Sequence, residues 1–430
     1  MVGFDDSRPG LAVIVNLLEA EKHDTTCGIG ERVNILSKVE IYILDCLFSF
    51  ASRFYVMMNF EFSWQWWVVA IGAIALLVQF GHLFFRFALV AFHRPSYQFD
   101  SKEPVSVIIC ARNELRNLQQ FLVSVLTQNY PDYQVVVVND CSWDESEKYL
   151  DEMALNYPHL KVVTIREQEK YIHGKKFAVS LGVKAASHDL LLLTDADCKP
   201  VSSDWISRMT SSYSPGTEIV VGYGAYMKSG GLLNRLIRFD TVFSAIQFLS
   251  AALAGKAYMG VGRNLSYRKS LFFKNKGFAK HNHVLSGDDD LFVNETARKD
   301  NVKVQIHPDS FTLSVPQKTF GGWFRQKRRH QSTSAYYKPG HRWQIGSMFF
   351  SHLIYMLATA FLLVVWFQPY WVLGVFGFWL LARLIIFGMS MKKLGELDNL
   401  WMLPLFDIVI WFLYPALALS NSISKPKTWR

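Results

Sequence analysis

Five carboxylates fall into two short runs, Asp195-Ala196-Asp197 and Asp288-Asp289-Asp290. The first spacing suits a hard divalent cation, Mg2+ or Mn2+: such ions take oxygen ligands, and an extended chain returns every second side chain to the same side. Asp197 is the expected direct ligand, with Asp195 in support. In the second run, three adjacent carboxylates buried together cannot all ionise at ordinary pKa values. Mutual repulsion keeps one of them basic enough to accept a proton. The same residues also suit the capped start of a helix through Thr296, and the two readings are compatible, because a capped helix start holds a base in position. A third run, Gly322 to His330, interleaves aromatic and basic residues. Part of it needs no chemistry, since Lys and Arg are favoured beside anionic lipid.

These residues need a scaffold, and residues 104–337 read as one. Val105–Ala111 and residues 135–140, 161–165 and 190–197 are short β-rich runs, with helix-like stretches at Leu115–Leu126, Ser146–Asn156 and Lys175–Ala185 between them. Near-continuous apolar strands joined by helices predict an α/β domain with a mostly parallel sheet covered on both faces. Ligands of such sheets gather beyond the carboxyl ends of the strands. Polar residues collect there: Ala111-Arg112-Asn113-Glu114, Asn139-Asp140-Cys141-Ser142 and Thr194-Asp195-Ala196-Asp197. Any one of them alone reads equally well as a helix cap or a turn, but three at successive strand ends point to a site. Leu232–Leu253 reads as an amphipathic helix, with core packing the safer expectation. Residues 254–267 form a Gly-rich stretch that permits close backbone approach to a ligand.

With these motifs, residues 104–337 resemble the family 2 glycosyltransferases, inverting nucleotide-sugar enzymes with the A-type fold. The resemblance covers somewhat over half the chain, and its membrane-bound side includes polysaccharide synthases and lipid glycosyltransferases. It implies that Ala111, Arg112 and Glu114 contact the nucleotide and that Asp140 faces uracil. Lys175, in His173-Gly174-Lys175, is implied to open a helix near the nucleotide. Asp195-Ala196-Asp197 matches the Asp-x-Asp signature, which implies Asp197 on a metal and Asp195 on the metal or the ribose. Ser286-Gly287-Asp288-Asp289-Asp290-Leu291 resembles the motif whose second acidic residue is the base, here Asp289. Residues 254–267 are similar to the acceptor-side segment. Members with membrane spans carry Gln-x-x-Arg-Trp where this chain has Gln326-Lys327-Arg328-Arg329-His330. That implies a bidentate hold of Arg329 on a diphosphate, with Gln326 helping to close the site. His330 replaces the Trp that packs on the acceptor sugar, which leaves acceptor type and processivity open. The implied chemistry is coherent, because a nucleoside diphosphate leaving group carries charge that a cation held by carboxylates neutralises.

The charge distribution agrees. The formal net charge is +9, from 45 Lys and Arg against 36 Asp and Glu. Ten of the basic residues and no acidic one lie between Ser310 and Gly395. The rest of the chain is neutral to within one charge, so a nucleic-acid partner is not expected. Five dispersed cysteines without a CxxC pair suggest neither a disulfide scaffold nor a thiolate zinc site.

Four apolar segments are long enough to cross a bilayer, which takes about 20 residues: 66–85, 346–367, 370–391 and 400–420. Glu61 precedes the first, while Arg86, His93 and Arg94 follow it, so its C-terminal end is expected in the cytosol. Lys392 and Lys393 agree with that orientation. Lys425, Lys427 and Arg430 do not, which leaves open an incomplete last span or a further span at 39–58. The expected layout is an N-terminal extension at 1–60 with no signal-peptide pattern, its natural start at Met57 or Met58, then a span in 61–95. A cytosolic domain at 100–340, three spans at 345–421 and a basic tail at 422–430 follow. Arg383 and Asp407 lie at similar depth in adjacent spans and are expected to pair, or else Arg383 to snorkel alone.

The expected protein is a multi-pass membrane glycosyltransferase that uses a nucleotide sugar, a metal ion and a lipid-linked or glycan acceptor, among membrane lipids. A processive synthase and a nucleotide-sugar-binding scaffold without turnover are the rivals. A transporter would need more spans and more polar residues within them.

Overall fold

The structure, a computed structural model, describes residues 63–95, 102–166, 174–284 and 286–424. The N-terminal extension, the alternative span at 39–58, His173 and residues 425–430 of the basic tail lie outside the described residues. From Val68 onward the described residues form one compact unit.

Helix α1 (Gln65–Phe92) contains a π-turn at Leu83–Phe87. The alternating region follows as β1 (Val105–Ala111), α2 (Leu115–Leu126), β2 (Tyr133–Asp140), α3 (Ser146–Asn156), β3 (Leu160–Ile165), α4 (Lys175–Ala185) and β4 (Leu190–Asp195). Then come β5 (Cys198–Pro200), β6 (Ile219–Val221), β7 (Gly224–Tyr226), the long α5 (Leu232–Leu253) and β8 (Leu265–Arg268). Helix α6 (Asp290–Thr296), β9 (Val302–Val304), β10 (Thr312–Ser314) and α7 (Phe320–Gln331) precede three apolar helices, α8 (Pro339–Val364), α9 (Pro369–Lys393) and α10 (Leu403–Ile423).

The main sheet runs β3-β2-β1-β4-β8-β6-β9. Its pairs are parallel except where β8 runs against both β4 and β6. The α/β domain with a mostly parallel sheet is therefore present. β5, β10 and β7 form a small second sheet. All seven residues of β1 are buried, because alternate side chains enter two different cores. Val107 and Ile109 join Leu118 and Leu122 of α2 on one face, while Ile108 and Cys110 join Ala178 and Val183 of α4 on the other. Strand order reverses at β1, between β2 and β4, and this opens a crevice at the strands' carboxyl ends.

One boundary differs from expectation. β4 stops at Asp195, and Ala196-Asp197 form a turn before β5, so the two aspartates do not share a face of one strand. The turn redirects the chain into the small sheet, where Cys198 pairs with Ser314.

Five helices are long and apolar enough to cross a membrane: Gln65–Phe92, Leu232–Leu253, Pro339–Val364, Pro369–Lys393 and Leu397–Ile423. Three of them contain the expected spans 66–85, 370–391 and 400–420, and Pro339–Val364 overlaps the expected 346–367 but stops three residues short of its end. The fifth, α5, is mostly buried and packs in the core, as its amphipathic pattern predicts. The others present large apolar side chains outward, among them Phe85, Val364, Trp371 and Phe412, as helices that cross a bilayer would. Arg383 of α9 and Asp407 of α10 pair: Arg383 Nη2 donates to Asp407 Oδ1 at 2.9 Å, and Nη1 donates to Oδ2. Arg383 also lies over the Trp379 ring, 4.7 Å from its centroid. A second buried cation, Arg238 of α5, donates from Nη2 to Glu396 Oε2 at 2.5 Å and to Asp398 Oδ1 at 2.8 Å. It ties the core helix to the connection between α9 and α10.

A buried pair is costly to break and cheap to replace as a whole. Arg383→Met alone should cost about 3–5 kcal/mol by leaving Asp407 unpaired, while Arg383→Met with Asp407→Leu should regain most of that loss. Thermal unfolding in detergent measures both; a double variant no more stable than the single one contradicts the pairing.

Candidate active site

A cavity of about 1460 Å3 opens at the carboxyl ends of the strands. Asp195 reaches it from the end of β4 and Lys175 from the first position of α4. Asp288, Asp289 and Asp290 enter at the start of α6. Gly287 precedes them with φ +97°, and a Cβ there would stand 2.5 Å from Leu291; only glycine fits this sharp entry into the helix.

The three adjacent acids have three different partners. Asp288 Oδ2 is paired with Lys175 Nζ at 3.2 Å. Asp290 Oδ2 accepts from the Tyr337 hydroxyl at 2.7 Å and from Thr333 Oγ1, so it fixes the segment leading to α8. Asp289 caps α6: its Oδ1 accepts from the Asp290 N–H at 2.8 Å and its Oδ2 from the Gly262 N–H at 2.7 Å. Enclosure in the cavity wall, then the charges of Asp288 and Asp290, push the Asp289 carboxyl up to about 7, against the opposing pull of Lys175 and Gly262. A carboxylate held near neutrality is suited to accept a proton.

Lys175 joins the two acidic runs, since its Nζ also lies 2.8 Å from Asp195 Oδ1. Burial raises the Asp195 carboxyl, but Lys175, Arg263 and Arg329 outweigh it and hold the group below its usual range. Asp197 goes the other way, raised by burial and by the charge of Asp195. Donor atoms of Asp195, Asp197 and Cys198 lie within 4.8 Å of one another. The Cys198 thiol donates to Asp197 Oδ1 at 3.3 Å, lies 3.0 Å from Ser314 Oγ, and is held protonated by burial. The deprotonated donors are thus carboxylates, a set that fits Mg2+ or Mn2+.

The basic wall is α7, on which Gln326, Arg329 and His330 all face the cavity. Tyr226 donates to Gln326 Oε1 at 3.4 Å. The helix is pinned from both sides. Lys327 Nζ lies 2.6 Å from Asp240 of α5. Arg328 reaches the end of α10, donating to Asn421 Oδ1 at 3.2 Å and Ser420 O at 3.0 Å.

Arg112 and Asp140 lie 3.9 Å apart at the ends of β1 and β2. Their loops are laced together: Asn113 N–H donates to Ser142 Oγ, Trp143 N–H to Asn113 Oδ1, and Leu115 N–H to Asp144 Oδ2. Asp140 is near enough to act on Cys110 together with Lys175, Asp195 and Asp288. Glu114 lines the cavity, whereas Ala111 is fully buried and offers no side-chain surface. Of the residues singled out in the sequence, Glu114, Lys175, Asp195, Asp197, Asp289, Gln326, Arg329 and His330 line one cavity, whereas Arg112 and the fully buried Asp140 do not line it.

Arg263 has no role assigned from the sequence, where it appears only within the Gly-rich stretch. It faces the cavity over the Tyr226 ring, 4.5 Å from its centroid, with Nη1 donating to Ser314 Oγ at 3.3 Å. It acts electrostatically on Asp195 and Asp197. The adjoining Gly-Arg was the available signal.

Residues 106–273 match the family model described as "Glycosyl transferase family 2". Among curated proteins, the chain is similar to glycosyltransferase AglE of Haloferax volcanii, with 33% identity over 27% of this chain and 38% of that protein. It is also similar to poly-beta-1,6-N-acetyl-D-glucosamine synthase of Staphylococcus epidermidis, with 23% identity over 53% of each. The chain spans about half the length, or less, of these curated relatives. A mannosyltransferase from Pyrobaculum calidifontis, solved with GDP-Man and Mn2+, aligns over 79% of this chain and 99% of that one, at 17% identity and a TM-score of 0.48.

Asp289 should lose its proton as pH rises through about 7. Carbodiimide labelling of Asp289, which takes the protonated carboxyl, should fall across that range relative to its own value at lower pH, after correction for loss of the reagent at each pH. Lys175→Met removes a cation that lowers this pKa and should move the transition upward. A wild-type transition near pH 4 would be incompatible with the coupled triad. Both are read by peptide mass spectrometry.

Proposed function

The chain carries a family 2 glycosyl transferase domain, and we propose that with it the protein works as a membrane-bound inverting glycosyltransferase. It moves a sugar from a nucleotide-sugar donor, a uridine diphosphate sugar, to a hydroxyl of a lipid-linked or glycan acceptor in cell-envelope glycan synthesis. The observation that carries this reading is Asp289, a helix-capping carboxylate poised near pH 7 in the same cavity as Asp195, Asp197 and the cations of α7.

Asp289 takes the proton of the acceptor hydroxyl, whose oxygen attacks the anomeric carbon from the face opposite the diphosphate. The bond from that carbon to the diphosphate oxygen breaks, and its electron pair leaves with the nucleoside diphosphate. Asp197, supported by Asp195, would hold a Mg2+ or Mn2+ ion, which would supply positive charge to offset that of the diphosphate. Lys175, Arg263 and Arg329 offset the remaining charge. Arg112, Glu114 and Asp140 hold the nucleoside end, while Gln326 and His330 border the acceptor.

The helices Gln65–Phe92, Pro339–Val364, Pro369–Lys393 and Leu397–Ile423 span the membrane on this reading, with residues 100–340 in the cytosol. Arg86 and Lys392-Lys393 at the inner ends support that orientation. A processive synthase extending a β-linked polymer is the second reading, favoured by the reach of the cavity between these helices to Arg383 and Asp407.

Membranes carrying the protein should release nucleoside diphosphate from one member of a nucleotide-sugar panel, in a manner dependent on Mg2+ or Mn2+. Asp289→Asn should lose at least about 10²-fold in rate, and Asp197→Ala should lose the metal dependence. Wild-type membranes that act on no donor would refute the enzyme. Full function of Asp289→Asn in cells would favour a binding scaffold.

A further inference from the structure

Lys175 and Lys176 both stand in the first turn of α4, where the helix dipole disfavours a cation. Lys175 is offset by Asp195 and Asp288 and lines the cavity. Lys176 lies outside the cavity lining and, among the described residues, forms no ion pair with a carboxylate. It is buried, 5% exposed, and its Nζ donates to His281 O at 2.7 Å and to Val284 O at 2.9 Å. An ammonium group bound only to carbonyls keeps much of its desolvation cost, so stability alone does not account for it. What it holds is the chain that leads to the base. His281 ends a short 3₁₀ turn, Ala279–His281, and its carbonyl also accepts from the Val284 N–H at 3.0 Å. Val284 lies five positions before Asp289. The turn is tied to α6 as well: His281 Nδ1 is 3.5 Å from Glu295 Oε2, and Lys280 pairs with the same carboxylate.

From this geometry we propose that Lys176 is a positioning residue for the base: its ammonium group holds the His281–Val284 turn, and the turn fixes where Asp289 stands toward the acceptor hydroxyl. The inference rests on the glycosyltransferase reading and adds an alkaline limit to its site. Hydrogen bonds from an ionised donor are roughly twice as strong as neutral ones, so the hold depends on the proton. Burial lowers Lys176 to about 8, against the opposing charges of Asp288, Asp290 and Asp289. Asp289 gains its basic form as pH rises through about 7, and Lys176 loses its charge as pH rises through about 8. Lys176 acts on His281 alongside Glu295, His283 and Lys280, and burial holds that imidazole down to about 4, neutral throughout. Burial opposes the charge of Lys175 too, but Asp195 and Asp288 outweigh it and keep that group protonated across the range.

The test follows nucleoside diphosphate release with Mg2+ by membranes carrying the full chain, at saturating concentration of the donor found active in the panel, from about pH 6 to about pH 9.5. Wild-type kcat should rise through about pH 7 and fall roughly 3- to 10-fold above about pH 8. Lys176→Arg keeps its charge throughout, so the alkaline fall should vanish while the acid limb stays. Lys176→Gln keeps a donor without the charge. It should show at neutral pH the low kcat of the alkaline wild type, with no alkaline limb and donor KM changed by less than about 2-fold. A lysine that only stabilised the fold would lower the rate of both variants at every pH and leave both limbs in place. Should Lys176→Arg not fold, Lys176→Gln decides by itself. A wild-type kcat that holds level to about pH 9.5, or an alkaline limb that persists in either variant, would overturn the inference. Failure of the glycosyltransferase reading is distinct, since then no donor is turned over at any pH.

Discussion

Lys175 is the interaction on which the site depends. Two acidic runs more than ninety residues apart meet on one ammonium group, with Asp195 at 2.8 Å and Asp288 at 3.2 Å. Without a cation between them, the clustered carboxylates would repel one another in an enclosed cavity, and some would be forced neutral. With it, Asp195 stays ionised while Asp289 remains weakly acidic. Lys175 lowers both groups: it prevails at Asp195, whereas at Asp289 burial and the charges of Asp288 and Asp290 outweigh it.

The second constraint is mechanical. Helix α7 carries Gln326, Arg329 and His330, yet it is only twelve residues long and polar over most of its surface. It is held by Trp323, buried against Leu413 and Leu417 of α10, and by Lys327 and Arg328, which reach Asp240 and the end of α10. Arg328 meets carbonyls that a helix end leaves unsatisfied, where positive charge is favoured. The position of Arg329 is therefore inherited from the apolar helices, and the dense positive charge of this segment serves both attachment and the cavity.

Much of this was legible in the sequence. Val105–Ala111, Leu115–Leu126, Ser146–Asn156, Lys175–Ala185 and Leu232–Leu253 appear with the predicted bounds, because each has a clear apolar period and turn chemistry at its ends. The Arg383–Asp407 pair was legible too, since an apolar layer forces charges at equal depth together. The end of β4 was not: Thr194-Asp195-Ala196-Asp197 alternates like a strand, and only tertiary pairing of Cys198 with Ser314 imposes the turn. β6, β7, β9 and β10 are three residues each, too short for a period to register. The role of Arg263 is likewise tertiary, as its partners Tyr226, Ser314 and Asp197 come from distant segments.

The reversed strand β8 has a consequence for the order in which the chain folds. β1 to β4 can pair as soon as residue 195 has been made, each new strand returning through a short helix to its neighbours. β6 cannot join them, because its place in the sheet is beside β8, which is made only after the 22-residue helix α5. The exposed edge of β4 must therefore wait, unpaired, while about 70 further residues emerge, an interval in which non-local pairing is slow and open edges invite wrong partners. α5 is long and apolar enough to cross a bilayer and yet ends buried in the core, so β8 reaches its place only if that segment packs against the sheet. The seven-stranded sheet is therefore complete only once that helix has been placed in the core.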